Sequence, residues 1–528
     1  MMTDTQTGAE DLGGPAAFLL PVTLIGVLAG LSLYANFEFV GDERDILQAG
    51  LAIFIVAFAG ALTALVRSGR WIAGGAAALF IGGAVALSFT HMIEVSETTR
   101  YIDEAPFYFW FAGGGALAGY LLLVFAKSSI DGAFPPRYDA IFLNGLSLPL
   151  IAGAALLIAL LITALFLCWS WAFDLLGIDF FLKLIGEPWF ALPFFGGVGA
   201  LSVAMIRGRT AILGALRFLI LFLARIAAPL YAAFAATLAV TLVVSGADAV
   251  FERDGLAPLM LSLSLAGMLI FNGVYQNGEG APPPLWLRGS SLVILVLAPA
   301  FVALSVLALW MRIDQYGLTP SRFLGFSVAL LIAAYALFGF IGALSEINWG
   351  TRRWMRPVAP LNTLTAVIWI VVLFGFVTPL LDPWAWSARQ QAKRLESGAV
   401  AIEEFDFGYL FFRLGPVGES EARRLAAIQD RDDYWELRRR LDLAENVEGY
   451  WDYLDAMESP ASADDAEAFS EEAEDVIDAA PLAEPEGETN EASVADDYGS
   501  DNSEPDGTDA DEPISFPSPD EEPEPAAS

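Results

Sequence analysis

Apolar and polar positions follow one another along this chain in long blocks. About eleven blocks of roughly 20 mostly apolar residues lie between Pro15 and Leu381, and each is long enough to cross the hydrocarbon of a bilayer as a helix. Their approximate limits are Pro15–Asn36, Ile46–Val66, Trp71–Thr90, Pro106–Ala126, Ile141–Cys168, Pro188–Ile206, Ile226–Gly246, Leu256–Gln276, Ser290–Met311, Phe323–Leu344 and Leu361–Leu381. Ile141–Cys168 is long for one crossing and is expected to tilt or to run past the surface. Ala211–Ala224 is also apolar, but Arg217 and Arg225 stand in or beside it; a helix lying in the interface is expected there, not a twelfth span. Gly26 and Gly30 in the first block let another helix approach closely.

The pattern changes after Leu381. Trp384 and Trp386 read as interfacial anchors. Ala388–Glu396 predicts a short helix ended by Gly398. Glu419–Gln429 and Asp432–Ala444 carry apolar residues at helical spacing, and Gly415-Pro416 breaks the chain before them. From Glu458 onward acids, Ala, Pro, Ser and Gly dominate; such a segment cannot bury enough apolar surface to fold. The expected fold is an all-α integral membrane protein. It has a short N-terminal segment (1–14), a transmembrane helical domain (15–381), a small helical extramembrane domain (382–457) resting on the membrane part, and a disordered acidic C-terminal tail (458–528).

Composition agrees with the pattern: 56% of the residues are hydrophobic and the mean hydropathy is +0.54. The formal charge of −35 belongs largely to the tail, since no Lys or Arg follows Met457. No basic patch suggests nucleic acid as a partner. Cys168 is the only cysteine, which excludes an internal disulfide or a cysteine zinc site, and its apolar surroundings predict a small buried hydrophobe. His91 is the only histidine, and no metal or cofactor is expected. Asp4, Glu10 and Asp11 before the first apolar run are unlike a cleavable signal peptide, so the first span is expected to be retained.

Basic residues in the connections set an expected orientation. About twelve (Arg70, Arg137, Arg207, Arg225, Arg288 and Arg352 among them) fall on the side of the N-terminus, against about six, including Arg312 and Arg322, on the other. The N-terminus is therefore expected on the cytoplasmic side, and an odd number of spans puts the carboxyl end outside.

The polar strip Trp310–Arg322 stands between two late spans. Gly317 can end one helix in a left-handed conformation, Thr319 can cap the next, and Pro320 suits its first position. Arg322 then falls where a cation opposes the dipole of its own helix, so it needs a partner. Asp314, a lipid phosphate and a carbonyl of a neighbouring loop are the candidates, while Arg312 can snorkel at the end of the preceding span. Arg312, Asp314, Tyr316, Gly317, Thr319 and Arg322 form the first candidate site. A second is His91 with Glu94, which share a helix face after the third span and offer a proton relay, half a metal site or a plain polar cap. Arg225 is a third.

Arg312, Tyr316-Gly317-Leu318-Thr319 and Arg322 between two late spans resemble the bacterial multi-pass membrane family called domain-of-unknown-function family 4153. Phe405–Gly415 resembles the segment that follows the last span in that family, and Leu223–Tyr231, with Arg225, Pro229 and Tyr231, is a weaker third match. The resemblance runs from about Arg217 to Ala427. It implies the architecture; the family has no established activity, so it implies no mechanism. A structural or regulatory envelope component, with membrane lipids and other envelope proteins as partners, is the first functional expectation. The alternatives are a transporter or channel for a small solute or lipid, and a membrane enzyme acting on a lipid-linked substrate.

Overall fold

The computed structural model describes residues 15–39, 45–66, 70–98, 104–132, 134–246, 255–349, 354–376, 378–431 and 433–458. The chain divides into two units, Met1–Ala473 and Glu474–Ser528, and every described residue lies in the first. The N-terminal segment, the acidic tail, Arg352 and Arg353 lie outside the described residues.

The described chain is helical. In order come α1 (Pro15–Phe39), α2 (Asp45–Leu65), α3 (Trp71–Thr98), α4 (Glu104–Asp131), α5 (Tyr138–Asp174), the short α6 (Phe180–Gly186), α7 (Pro188–Arg207) and α8 (Thr210–Ser245). They are followed by α9 (Leu256–Tyr275), α10 (Leu285–Tyr316), α11 (Pro320–Trp349) and α12 (Val358–Phe376). Among the described residues, 11 helices are long and apolar enough to cross a membrane: all of these except α6. The protein is thus an all-α multi-pass membrane protein.

Packing follows the sequence chemistry. Gly26 and Gly30 bring α1 against α7; a Cβ on Gly26 would stand 2.0 Å from the Gly196 carbonyl oxygen, so only glycine allows this approach. A second core gathers Met268 and Phe271 of α9, Leu295 of α10, Tyr335 of α11 and Trp354. The long apolar surfaces of α5 and α8 are left facing outward, as lipid-exposed helices require.

The two irregular stretches resolve simply. α5 is one helix of 37 residues. Ala211–Ala224 is neither a separate interfacial helix nor a span of its own; it is the first part of α8, which runs for 36 residues through Arg217 and Arg225. Leu213 anchors that part against Ile151 and Ile206, and Arg217 reaches Ser147 Oγ at 3.4 Å. Two residue expectations are corrected. Cys168 is exposed, because α5 turns it outward. Trp384 is not an interfacial anchor; it is buried within the core of the helices after Leu381.

Those helices are α13 (Pro383–Glu396), α14 (Gly415–Leu425), α15 (Tyr434–Asn446) and α16 (Tyr450–Glu458), with a π-helical turn over Tyr409–Arg413. Asp382 caps α13, its carboxylate accepting from the N–H groups of Trp384 and Ala385 at 2.9 and 3.2 Å. Phe407, Leu410, Phe412, Leu425 and Leu437 fill the core, and Phe89 and Ile93 of α3 and Phe374 of α12 pack on it from the membrane bundle. Arg440 is buried among these helices, donating to the Phe405 carbonyl at 3.0 Å and to Glu436 at 2.6 Å. Although burial pushes the Glu436 carboxyl up, Arg439 and Arg440 hold it below its usual value.

Candidate functional site

Helix α10 carries a polar turn at each end, and the two differ in what their polar groups touch. At its C-terminal end α10 closes at Tyr316, and Gly317 follows with φ 77° and ψ 176°. The positive φ favours glycine, although the ψ is extended and not that of a left-handed helix. Thr319 caps α11, its Oγ1 accepting from the Arg322 N–H at 3.3 Å, and Pro320 is the first helical residue.

The exposed backbone of this turn is taken up by α13. Arg394 donates through Nη1 to the carbonyls of Ile313 (3.3 Å) and Asp314 (2.7 Å) and through Nη2 to that of Gln315 (3.1 Å). Gln390 Oε1 accepts from the Leu318 N–H at 2.9 Å, and Gln391 Nε2 donates to the Leu318 carbonyl at 3.1 Å. A Cβ on Gly317 would stand 2.6 Å from Gln391 Nε2, so the contact also depends on glycine. Arg322 donates to the Gly317 carbonyl at 2.9 Å and lies over the Tyr316 ring, 5.4 Å from its centroid. The last carbonyls of a helix carry partial negative charge, so two guanidinium groups are well placed there.

This arrangement identifies the partner of Arg322. The acceptor is the Gly317 carbonyl of Arg322's own turn, not a carbonyl of a neighbouring loop and not Asp314. Asp314 gives its backbone carbonyl to Arg394, and its exposed carboxylate forms no ion pair among the described residues. Arg312 sits exposed in the last turn of α10. Tyr409, from the π-helical turn, completes the surroundings: burial pushes its hydroxyl up to about 12, while the charge of Arg322 pulls the other way. Arg394, Gln390 and Gln391 were not singled out in the sequence. The one signal available was a basic residue in the last turn of a short helix, which points as readily to a solvated face.

At the N-terminal end of α10 the chain turns from Gln276 to Pro284. Gln276 has a φ of 59° and Gly278 one of 71°, and Gly278 lies against the Tyr275 ring. Arg137 holds the turn from outside through Glu279 at 2.6 Å. Between this turn and α8 lies a cavity of about 380 Å³, lined by Arg225, Phe222, Tyr275, Gln276, Trp286 and Trp354 among others. Trp354 is buried against Phe271 and Tyr275, with ring centroids 6.3 and 5.8 Å away. Its indole Nε1–H has no hydrogen-bond acceptor among the described residues. Arg225 is exposed on α8, and its guanidinium forms no hydrogen bond or ion pair among the described residues.

Several other arginines at this end of the bundle are occupied. Arg207 donates to the carbonyls of Thr63 and, at 3.0 Å, Val66; Arg70 donates to that of Ile130. Arg288 pairs with Glu346 between α10 and α11, with both side chains largely buried. Behind the cavity, Asn362 Nδ2 donates to Asn272 Oδ1 at 2.8 Å and to the Tyr138 hydroxyl at 3.1 Å, and Asn272 in turn donates to the Tyr335 hydroxyl. This network joins α5, α9, α11 and α12 inside the bundle and satisfies the buried amides.

His91 lies on α3 between Phe89 and Ile93, the residues that pack on the core after Leu381. The side chain of Glu94 lies outside the described residues. No group of three or more His, Cys, Asp or Glu comes together among the described residues.

A family model described as Domain of unknown function (DUF4153) matches residues 27–419. The chain belongs to this family. The match reaches back through the early spans, which on sequence alone agree with the family only in hydropathy, and it ends within α14. Both turns of α10, the cavity and the Arg394 contacts lie inside it. No curated protein and no solved structure matches the chain.

Proposed function

We propose that this family member is a scaffold of the bacterial inner membrane. Its bundle holds the helices after Leu381 at one membrane surface, as a structural or regulatory component of the envelope. The reading is carried by Arg394, whose guanidinium contacts three carbonyls in the last turn of α10. In the strip that looks most like a site in the sequence, the backbone groups are taken up by the protein's own helix. In this reading the N-terminus is cytoplasmic and the docked helices periplasmic. α3 and α10 both end, after an odd number of crossings, beside the helices that follow Leu381, which supports opposite sides. The excess of basic residues on the side of the N-terminus supports its being the cytoplasmic one. Other envelope proteins are the partners in this reading, and the exposed Trp451 on α16 is an apolar group available to them.

Two experiments test it. In a Cys168→Ser background, a membrane-impermeant thiol reagent on spheroplasts should label Ser397→Cys and spare Ser68→Cys; the reverse pattern overturns the orientation. For the role, Arg394→Ala keeps every span and weakens the docking. In cells lacking the chromosomal copy it should reproduce the defect of the full deletion. Wild-type behaviour from a variant shown to be undocked would make the bundle alone the working part and favour a transporter or channel.

A further inference from the structure

The cavity at the N-terminal end of α10 has properties that packing does not require. Its lining includes Arg225 and Trp354, whose guanidinium and indole N–H have no partner among the described residues. Arg225 is exposed yet lies against the cavity, and the Trp354 Nε1–H is buried without an acceptor. A buried donor left unpaired is costly, so native structures rarely keep one without a reason. The rim is stiff: Pro282-Pro283-Pro284, the Arg137–Glu279 pair and the contact of Gly278 with Tyr275 fix the turn. The space is therefore largely pre-formed, as ligand sites are.

The position of Arg225 decides the class of ligand. From Ile226 to Ser245 α8 measures about 30 Å at 1.5 Å per residue, the thickness of a bilayer's hydrocarbon. Arg225 therefore stands at the level where lipid headgroups begin, beside the turn that joins two spans. Trp286, about half exposed, lies at the same rim, as an interfacial tryptophan does. Next to Arg225 on α8, Phe222, Leu223 and Ile226 are exposed large apolar groups. A volume of about 380 Å³ takes a headgroup and its glycerol, while the acyl chains run outside along Ile226, Leu230 and Phe234, exposed on the membrane side of Arg225.

We propose that this cavity binds the phosphate-bearing headgroup of an anionic phospholipid, with Arg225 pairing the phosphate and the Trp354 indole N–H donating to a headgroup oxygen. Arginine suits this role because its planar fork meets two phosphate oxygens at once. The site is distinct from the strip at the other end of α10, and it stands or falls independently of the scaffold reading.

The test uses the full-length protein, delipidated in mild detergent and titrated by native mass spectrometry with phosphatidylglycerol, phosphatidylcholine and sn-glycerol 3-phosphate. Phosphatidylglycerol should bind the wild type with a saturable affinity at least about tenfold above phosphatidylcholine. Arg225→Gln should lower that affinity about tenfold or more, the loss expected for one charge-assisted contact. Arg209→Gln, at an exposed arginine just before the same helix, should leave it unchanged. Trp354→Phe keeps the ring in its packing and removes only the donor; it should weaken binding by about threefold to tenfold. Equal phosphatidylglycerol binding by the wild type and folded Arg225→Gln overturns the proposal. So does glycerol phosphate binding that is as tight as the lipid's, which would make the ligand a soluble anion.

Discussion

The two ends of α10 contain similar ingredients and make opposite use of them. Each has arginine, an aromatic ring and a glycine with positive φ at a turn between two spans. At the Gly317 end, Arg322 and Arg394 are directed at helix-terminal carbonyls, and two glutamines close on Leu318. At the Gln276–Pro284 end, an exposed cation and a buried tryptophan with an unpaired donor line a cavity. A polar strip at a bilayer surface is thus poor evidence of a ligand site by itself. The informative quantity is the donor capacity left over after the chain has satisfied its own backbone.

The comparison breaks most visibly where an arginine has a buried partner. Glu346→Ala would leave Arg288 buried and unpaired, and should cost about 3–5 kcal/mol in thermal or denaturant unfolding of the purified protein. A change under about 1 kcal/mol would mean that water already serves this pair. Next in size is the latch. Arg394→Ala should weaken docking by about 1.5–3 kcal/mol, the range for hydrogen bonds to a charged group. It should be read as faster amide exchange in α13, with α1 to α9 unchanged.

A third effect depends on pH. The Tyr409 hydroxyl is raised from its ordinary 10.0 to about 12, mainly by burial. Its neutral form is therefore the one the docked state favours. That contribution is intact below pH 10 and is lost as pH rises through about 12. The unfolding midpoint should fall over this window, and Tyr409→Phe should remove about 1–2 kcal/mol of that fall. The smallest effect is expected at Arg225, where Arg225→Gln in lipid-free detergent should lie within about 0.5 kcal/mol of wild type.

Much of the architecture was legible because hydrophobic run length reports directly on bilayer thickness. The eleven runs, the Gly317-Leu318-Thr319-Pro320 turn and the helix before Gly398 all appear in the structure near their expected places. The misses have physical causes. Cys168 and Trp384 were assigned from composition, but exposure depends on which face a neighbour covers, and no run length reports that. Arg322 falls at its predicted helical position and finds its partner five residues back, at the Gly317 carbonyl, whereas the contacts that α13 makes to this turn come from some 70 residues away and left no mark in the sequence. Arg225 stood out as an arginine in an apolar run. Trp354 and the cavity did not, because the cavity exists only once α8, α9 and α10 have converged.

The most direct measurement is hydrogen–deuterium exchange of the full-length protein in nanodiscs, comparing phosphatidylglycerol with phosphatidylcholine. Added protection should be confined to the peptides covering Phe222–Ile226, Val274–Leu287 and Trp354, and the strip Trp310–Arg322 and helix α13 should exchange alike in both lipids. Protection that appears at the strip and is absent around Arg225 would contradict the account, because the end assigned as closed would then be the one that recognises lipid.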